Sequence, residues 1–191
     1  MAQLDRLSGP VEKVAPGLLG SIVRSGAVAI RLTEVEAYGG VGQDEASHSH
    51  RGRTKRNEVM FGPAGYLYVY FTYGMHWCAN IVTGVAGEAS AVLLRAGEVV
   101  DGLELAIQMR GLGVPDKNLA RGPARLASAL GLDGSANGLN VLDPSSPVRL
   151  TLRPPPRAFE AGPRVGVAKE AERPWRFWLP GEPTVSPYRR R

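Results

Sequence analysis

The chain of 191 residues carries one cysteine, Cys78, and three histidines. A single cysteine excludes an intramolecular disulfide and any multi-cysteine zinc or iron–sulfur site. Cys78 falls in a segment that reads as a buried strand, so it is expected as a small core residue rather than a reactive thiol. No apolar run approaches the ~18 residues of a membrane-spanning helix. The opening stretch, Met1 to Gly26, lacks the sustained apolar segment of a secretory signal. Internal repeats and long low-complexity tracts are also missing. These absences favour a soluble, cytoplasmic protein with no membrane partner.

Apolar residues make up 43% of the chain, enough for a real core. A chain of this length buries roughly 70% of the surface its unfolded form exposes, which suits one domain over 1–191. Lysine and arginine outnumber aspartate and glutamate by 23 to 18, for a net charge of +5. With a sequence pI near 9.7, an anionic partner is indicated, and nucleic acid is the commonest.

Hydrophobic patterning supplies the elements. Ala27 to Tyr38 alternates and is rich in β-branched residues; Ile30, Leu32, Glu34, Glu36 and Tyr38 share one parity. That face is expected to start apolar and end acidic, running from the core to a polar site. Gly39 to Pro63 reads as a long surface loop, and such loops are often functional. Tyr66–Phe71 and Trp77–Val82 read as a hairpin turning at Thr72-Tyr73-Gly74. Ala89 to Arg95 predicts a third strand that ends on a charge. Val100 to Arg110 has helical spacing, with Leu103, Leu105 and Ile107 facing inward. Pro123 to Leu130 predicts a short helix closed by Gly131. Leu139–Leu142 and Val148–Leu152 are strand candidates, Pro154 to Pro156 a stiff break, and Val165–Leu179 the final strands. The expected fold is α+β: a mixed, mainly antiparallel sheet with a few flanking helices.

Several clusters carry candidate chemistry. Glu34 and Glu36 beside Tyr38 form either an acid–base site or a solvated strand edge; crowded carboxylates near an aromatic have perturbed pKa values. His48, His50 and His76, with Asp44 and Glu45, could bind zinc, although no recognised ligand spacing is present. A stacking or hydrogen-bonding role for His48 alone requires less coincidence. Arg51, Arg53, Lys55 and Arg56 are a phosphate-contacting patch or a solvated loop. Tyr66, Tyr68 and Tyr70 share a strand face, where aromatics are usually core. Tyr73 at the hairpin tip is harder to bury and is a candidate wedge between bases. Arg95 ends an apolar strand; it either exits to solvent or pairs with Glu34 or Glu36.

Taken in order, these features resemble one family. E-x-E-A-Y is followed by D-E-A-S-H, R-N-x-x-M-F, P-x-G-x-L-Y-V-Y-x-x-Y-G-M, C-x-N-I and V-L-L-R. This order is similar to that of the alkyladenine (3-methyladenine) DNA glycosylase family. The match is dense from Thr33 to Arg95. It returns at Gly122-Pro123 with Leu126, at Arg164 to Val167, and at Arg176-Phe177. The resemblance implies a single-domain monomer with a protruding hairpin, duplex DNA with damaged purines as partner, use at the bacterial nucleoid, no metal and no cofactor. It implies Glu36 as the base that activates water, helped by Arg95 and the backbone carbonyl of Val165. Tyr38, His48 and Tyr70 become walls around a flipped base, Asn80 a residue whose bulk excludes guanine, and Tyr73 the filler of the vacated stack. Gly74, Met75 and His76 fall near phosphates, with Arg125 a further backbone contact. Glu34 becomes a structural neighbour. Compared with vertebrate members, the chain is one residue longer between Tyr38 and His48. It also has His76 for tyrosine, Arg121 for serine and Arg125 for lysine, differences that bear on loop path and substrate range.

The implied activity is monofunctional hydrolysis of the N-glycosidic bond of alkylated or deaminated purines such as 3-methyladenine and hypoxanthine. No lysine stands near the motif as a Schiff-base nucleophile, so strand-cleaving lyase activity is not expected. Two other readings remain: a non-catalytic nucleic-acid-binding module, for which Glu36, Arg95 and Asn80 would be idle, and a histidine-ligated metal hydrolase.

Overall fold

The expected strand over Ala27–Tyr38 organises the molecule, which is described over residues 2–188 in a computed structural model. The strands are β1 (Ile22–Ser25), β2 (Val28–Tyr38), β3 (Leu67–Thr72), β4 (His76–Val82), β5 (Ala91–Asp101), β6 (Val148–Thr151), β7 (Glu160–Gly162) and β8 (Arg176–Trp178). The helices are α1 (Ala2–Asp5), α2 (Val11–Val14), α3 (Leu103–Arg110) and α4 (Pro123–Ala129), with short 3-10 turns between. Strand order is β3-β4-β5-β2-β1-β6, with β8 beside β2 and β7 beside β8. Every one of these pairings is antiparallel, so the mixed sheet of the sequence reading becomes an antiparallel one. β2 pairs with β5 along one edge and shares its other edge between β1 near its start and β8 near its end.

One face of this sheet packs a single apolar cluster. β2 contributes Val28, Ile30 and Leu32 to it, and then Val35 and Ala37. The step from even to odd positions marks a bulge: Leu32 faces Gly97 and Glu34 faces Ala96, leaving Thr33 unmatched. β5 makes the compensating slip at Arg95, between Leu94 opposite Val35 and Ala96. Each extra residue turns the strand beyond it over by one position. The single shared face expected for Ile30, Leu32, Glu34, Glu36 and Tyr38 is therefore split. Ile30 and Leu32 point into the core, whereas Glu34, Glu36 and Tyr38 point away from it. Close packing at this crossing requires a glycine. A Cβ on Gly97 would meet Ile30 Cγ2 at 2.3 Å and Arg31 O at 2.5 Å, so Gly97→Ala would separate the two central strands.

Several boundaries differ from the sequence reading. β5 does not end at Arg95; it runs to Asp101, with Val99 opposite Ile30, Asp101 opposite Ala29 and Val100 unmatched between them. The helix expected from Val100 therefore begins only at Leu103. Leu103 is exposed and Ala106 is the buried position, because the short helix lies against α4 rather than on the sheet by its first turn. Leu139–Leu142 is not a strand but a loop with one bridge from Asn140 to Tyr66. Within Val165–Leu179 only β8 forms, and its partner β7 precedes the segment. α4 has proline in its first turn and packs on β4 and β5. β3 and β4 project as the hairpin, leaving Phe71, Tyr73 and Met75 exposed.

Candidate active site

The two bulges decide which side chains meet. With Val35, Ala37, Val92 and Leu94 in the core, their neighbours Glu34, Glu36, Tyr38, Leu93 and Arg95 turn to the opposite face. β4 adds Cys78 and Asn80 there, and β3 adds Tyr68 and Tyr70, while Leu67, Val69, Ala79 and Ile81 fill the core. A cavity of about 330 Å³ opens on this face, lined by Tyr38, His48, Tyr70, Asn80, Arg95 and Val165 among others. Glu36 lies directly behind that lining, with no solvent-exposed side-chain surface.

Glu36 is held by three of the cavity's own residues. Its Oε1 accepts the Val165 N–H at 2.7 Å. Its Oε2 accepts the Tyr38 hydroxyl at 2.9 Å and lies 3.3 Å from Arg95 Nη1. The contact made by Val165 is thus through its N–H. Arg95 is shared: its Nε donates to Glu34 Oε1 at 2.9 Å and its Nη2 reaches Ser186 Oγ at 3.3 Å. Glu34 in turn accepts Arg176 Nε at 2.6 Å and the Ser186 N–H at 2.6 Å. Two buried carboxylates are thereby set against two buried guanidiniums. Charges out of water survive only when paired and hydrogen-bonded in this way. Burial alone would lower the Arg95 pKa, but the Glu36 and Glu34 carboxylates outweigh it and raise it.

The cavity walls are phenols and an imidazole. His48 Nδ1 lies 3.0 Å from the Tyr68 hydroxyl, and its ring meets Tyr70 edge-on with centroids 4.6 Å apart. His48 and Tyr70 are therefore one wall, with Tyr68 stacked behind Tyr70 at 5.4 Å. Tyr38 enters from β2 separately. Much of the His48 ring is exposed at the cavity mouth, yet desolvation of its packed edge, with the Arg56 cation nearby, lowers its pKa and favours the neutral ring. Burial pushes the Tyr68 hydroxyl up to about 12 and raises Tyr38 and Tyr70 as well, so all three phenols are uncharged at neutral pH. Asn80 is buried and donates to Tyr68 O at 3.0 Å, which fixes its amide on the cavity floor. Cys78 is a buried free thiol on the same floor, and burial raises its pKa.

The residues expected at DNA lie on the hairpin tip, the loop before β3 and α4, and of these Tyr73 also lines the cavity. Tyr73 and Gly74 have φ of 51° and 65°, and Met75 N–H returns to Thr72 O at 3.2 Å. Two consecutive left-handed residues make the turn whose twist matches a hairpin; Gly74 adopts it freely, whereas Tyr73 does so at a steric cost. Tyr73 is 73% exposed, so the strain holds an aromatic ring out in solvent. Met75 and His76 are exposed beside it. Arg51, Arg53, Lys55 and Arg56 are all exposed on the loop before β3. Arg56 also donates to Phe71 O at 3.1 Å and lies over Tyr70 at 5.8 Å, so it ties the loop to the hairpin. Asn57 closes the loop by donating to His48 O and Gly52 O at 2.8 and 3.0 Å. Arg125 is exposed on α4, whose Pro123 reaches the cavity.

Four supporting residues had weaker signals in the sequence. Asp44 stood out only as a possible metal ligand, but it is buried against Arg164 at 2.7 Å. Arg164 and Arg176 belonged to matched motifs without an assigned role. Ser186 carried no signal, since nothing local reveals a partner 152 positions away. Among the described residues, no three histidine, cysteine, aspartate or glutamate side chains are grouped as metal ligands would be.

The chain is similar to known proteins over most of its length. The family model described as Methylpurine-DNA glycosylase (MPG) matches residues 5–183. Three similar curated proteins each carry the name "Putative 3-methyladenine DNA glycosylase". The one from Nocardia farcinica is 60% identical over 179 residues, covering 91% of this chain and 84% of its own length. That from Leifsonia xyli is 52% identical over 189 residues, covering 93% and 88%. That from Mycobacterium tuberculosis is 53% identical over 177 residues, covering 91% and 87%. With a family model matching nearly its whole length, the chain belongs to the methylpurine-DNA glycosylase family.

Proposed function

We infer that this protein is a monofunctional DNA glycosylase that extrudes alkylated or deaminated purines from duplex DNA and hydrolyses their N-glycosidic bond with water activated by Glu36. One observation carries the reading: a fully buried carboxylate, bonded by Arg95, Tyr38 and the Val165 N–H, directly behind an aromatic-lined cavity. A carboxylate offers about four acceptor positions. Two are filled by hydrogen bonds, one on each oxygen, and the Arg95 cation stands 3.3 Å from Oε2. An open position on Oε1, beside Val165, is where Glu36 can take a proton from water. The Val165 carbonyl and Arg95 would help hold that water.

A base within the duplex hides its glycosidic bond, so the nucleotide must be extruded at a cost of a few kcal/mol. Poorly pairing lesions cost less to extrude, which gives selectivity at that step. Tyr73, entering the vacated stack, offsets part of the cost. The basic loop, the turn at Gly74, Met75 and His76, and Arg125 fix the phosphates. In the cavity, Tyr38 and the His48–Tyr70 wall bracket the base, and Asn80 screens its edge. Neutral His48 suits this task, because a protonated ring would repel a cationic alkylated purine. Stacking on neutral phenols attracts such cations. Bond cleavage builds positive charge on the sugar, and the Glu36 carboxylate stabilises it and accepts the proton of the attacking water. Protonation of a neutral leaving base falls to water.

No lysine lines the cavity and Lys55 is exposed on the outer loop, which supports hydrolysis without a Schiff base. The testing experiment is single-turnover excision of 3-methyladenine, 7-methylguanine, hypoxanthine and ethenoadenine from matched duplexes, with borohydride added in parallel. Release of a free base without a trapped protein–DNA adduct is expected. Release of none of the four refutes the glycosylase reading, and a trapped adduct refutes its monofunctional part.

A further inference from the structure

Arg164 and Asp44 lie outside the cavity lining, with no exposed side-chain surface. They meet as a fork, Nη1 to Oδ2 at 2.7 Å and Nη2 to Oδ1 at 2.8 Å. Two-point contacts of this kind fix orientation as well as distance. A buried ion pair seldom adds net stability over apolar packing. Here Arg164 Nε is also buried without a hydrogen-bond partner, which makes the arrangement costlier still.

Its surroundings suggest a different role. Arg164 Nη1 also donates at 3.1 Å to Ala37 O, the carbonyl between Glu36 and Tyr38. The guanidinium lies 4.9 Å from the Tyr38 ring centroid, on the route by which that side chain reaches the cavity. Asp44 accepts the Gly39 N–H at 2.9 Å and the Ala46 N–H at 3.0 Å, fixing the start of the loop that delivers His48. The Val165 N–H bonded to Glu36 belongs to the peptide that joins Arg164 to Val165. That peptide is planar, so anchoring Arg164 restrains the plane of the donor.

We propose that the Arg164–Asp44 pair is a positioning element of the excision reaction, holding the 164–165 peptide on Glu36 and Tyr38 at the cavity wall. This rests on the glycosylase reading. Neither residue touches substrate. The pair restrains Oε1, the Glu36 oxygen whose open acceptor position is assigned to water. Without it, Oε1 loses its fixed donor and Glu36 gains freedom to rotate. A misplacement of about 1 Å in a reacting group can cost on the order of 10²-fold in rate.

Two variants test this: Arg164→Lys, which keeps the charge but not the fork, and the isosteric Asp44→Asn. Three quantities are read: the single-turnover rate constant of the active fraction, lesion-DNA affinity, and the amide proton resonance of Val165. In both variants the rate constant is expected to fall on the order of 10²-fold, with affinity within about threefold of the parent. The Val165 resonance, held downfield by its short bond to a carboxylate, is expected to move upfield. The double variant is expected to be no slower than the slower single one, since both break the same contact. A purely structural role would lower the active fraction and leave the rate constant and the resonance alone. If Arg164→Lys does not fold, Asp44→Asn carries the test. A parental rate constant or an unmoved Val165 resonance in Asp44→Asn overturns the proposal. A parent protein that excises nothing overturns the glycosylase reading instead, and the resonance still judges the pair.

Discussion

Replacing Glu36 with glutamine separates chemistry from binding, and the structure sets the size of each effect. Glu36 accepts from Val165 and Tyr38 and is ion-paired with Arg95. A glutamine can keep its oxygen on the Val165 N–H, and its amino group can donate to the Tyr38 hydroxyl, which rotates to accept. Only the contact with Arg95 Nη1 becomes donor against donor, and Arg95 keeps its Nε bond to Glu34. One lost buried bond to a charge costs about 1–3 kcal/mol. For a chain of this size, each kcal/mol lowers Tm by about 2–4 °C, so Glu36→Gln should fold. Loss of a positioned base is typically worth about 10²–10⁴-fold in rate, or about 2.7–5.5 kcal/mol of barrier. Because Glu36 stands behind the lining, affinity for lesion DNA should stay within about threefold. The assay is single-turnover release of free base from alkylated duplex DNA, alongside fluorescence anisotropy for binding. A rate constant within about threefold of the parent refutes the general-base role. A rate loss fully matched by a binding loss would make Glu36 a binding group.

Tyr73→Gly relieves the left-handed strain, worth about 1–2 kcal/mol, and adds glycine's entropic cost of about 0.5–1 kcal/mol. Its melting temperature should barely change, while excision slows most for lesions in stable base pairs; equal slowing for paired and mispaired lesions would argue against a stack-filling role. His48 should titrate below 6.5 in a histidine NMR series, through desolvation and then Arg56. In sign, neutral His48 favours the fold fully above 6.5, and this contribution declines as pH falls through the lower folded value. Arg56→Ala should move the midpoint up, and an unchanged midpoint would remove Arg56 as a cause. Combined Arg51→Ala, Arg53→Ala and Lys55→Ala should reduce the salt dependence of DNA affinity by up to about 0.9 log unit per lost phosphate contact; an unchanged slope would assign these cations to solvent.

How far the sequence reveals this site depends on whether each signal is local. The hairpin, the β2 strand and the short helix at Pro123 follow from alternation, turn residues and proline placement. Charge at Arg95 in an otherwise apolar strand left two readings open, exit to solvent or pairing with Glu34 or Glu36, and the structure shows the pairing with both. The bulges at Thr33 and Arg95 were not legible: alternation assigns Ile30 and Glu36 to one face, and only cross-strand register separates them. Val99 to Asp101 fit a strand or a helix by composition, and the pairing of Val99 and Asp101 with β2 decided for the strand. The buried supports Asp44, Arg164, Arg176 and Ser186 come from four separate segments. No single-segment pattern encodes their meeting.

The lone thiol on the cavity floor has a chemical consequence for a protein that handles alkylated bases. Such a pocket operates among the electrophiles that create its substrates, and an accessible cysteine would be their natural casualty. The reactive species is the thiolate, not the thiol. Burial holds Cys78 in the protonated form, despite the opposing pull of the Tyr70 hydrogen bond and the Arg95 charge. The burial that keeps the surrounding phenols uncharged therefore also passivates the sulfur beneath them, which would protect the enzyme from the damage it repairs.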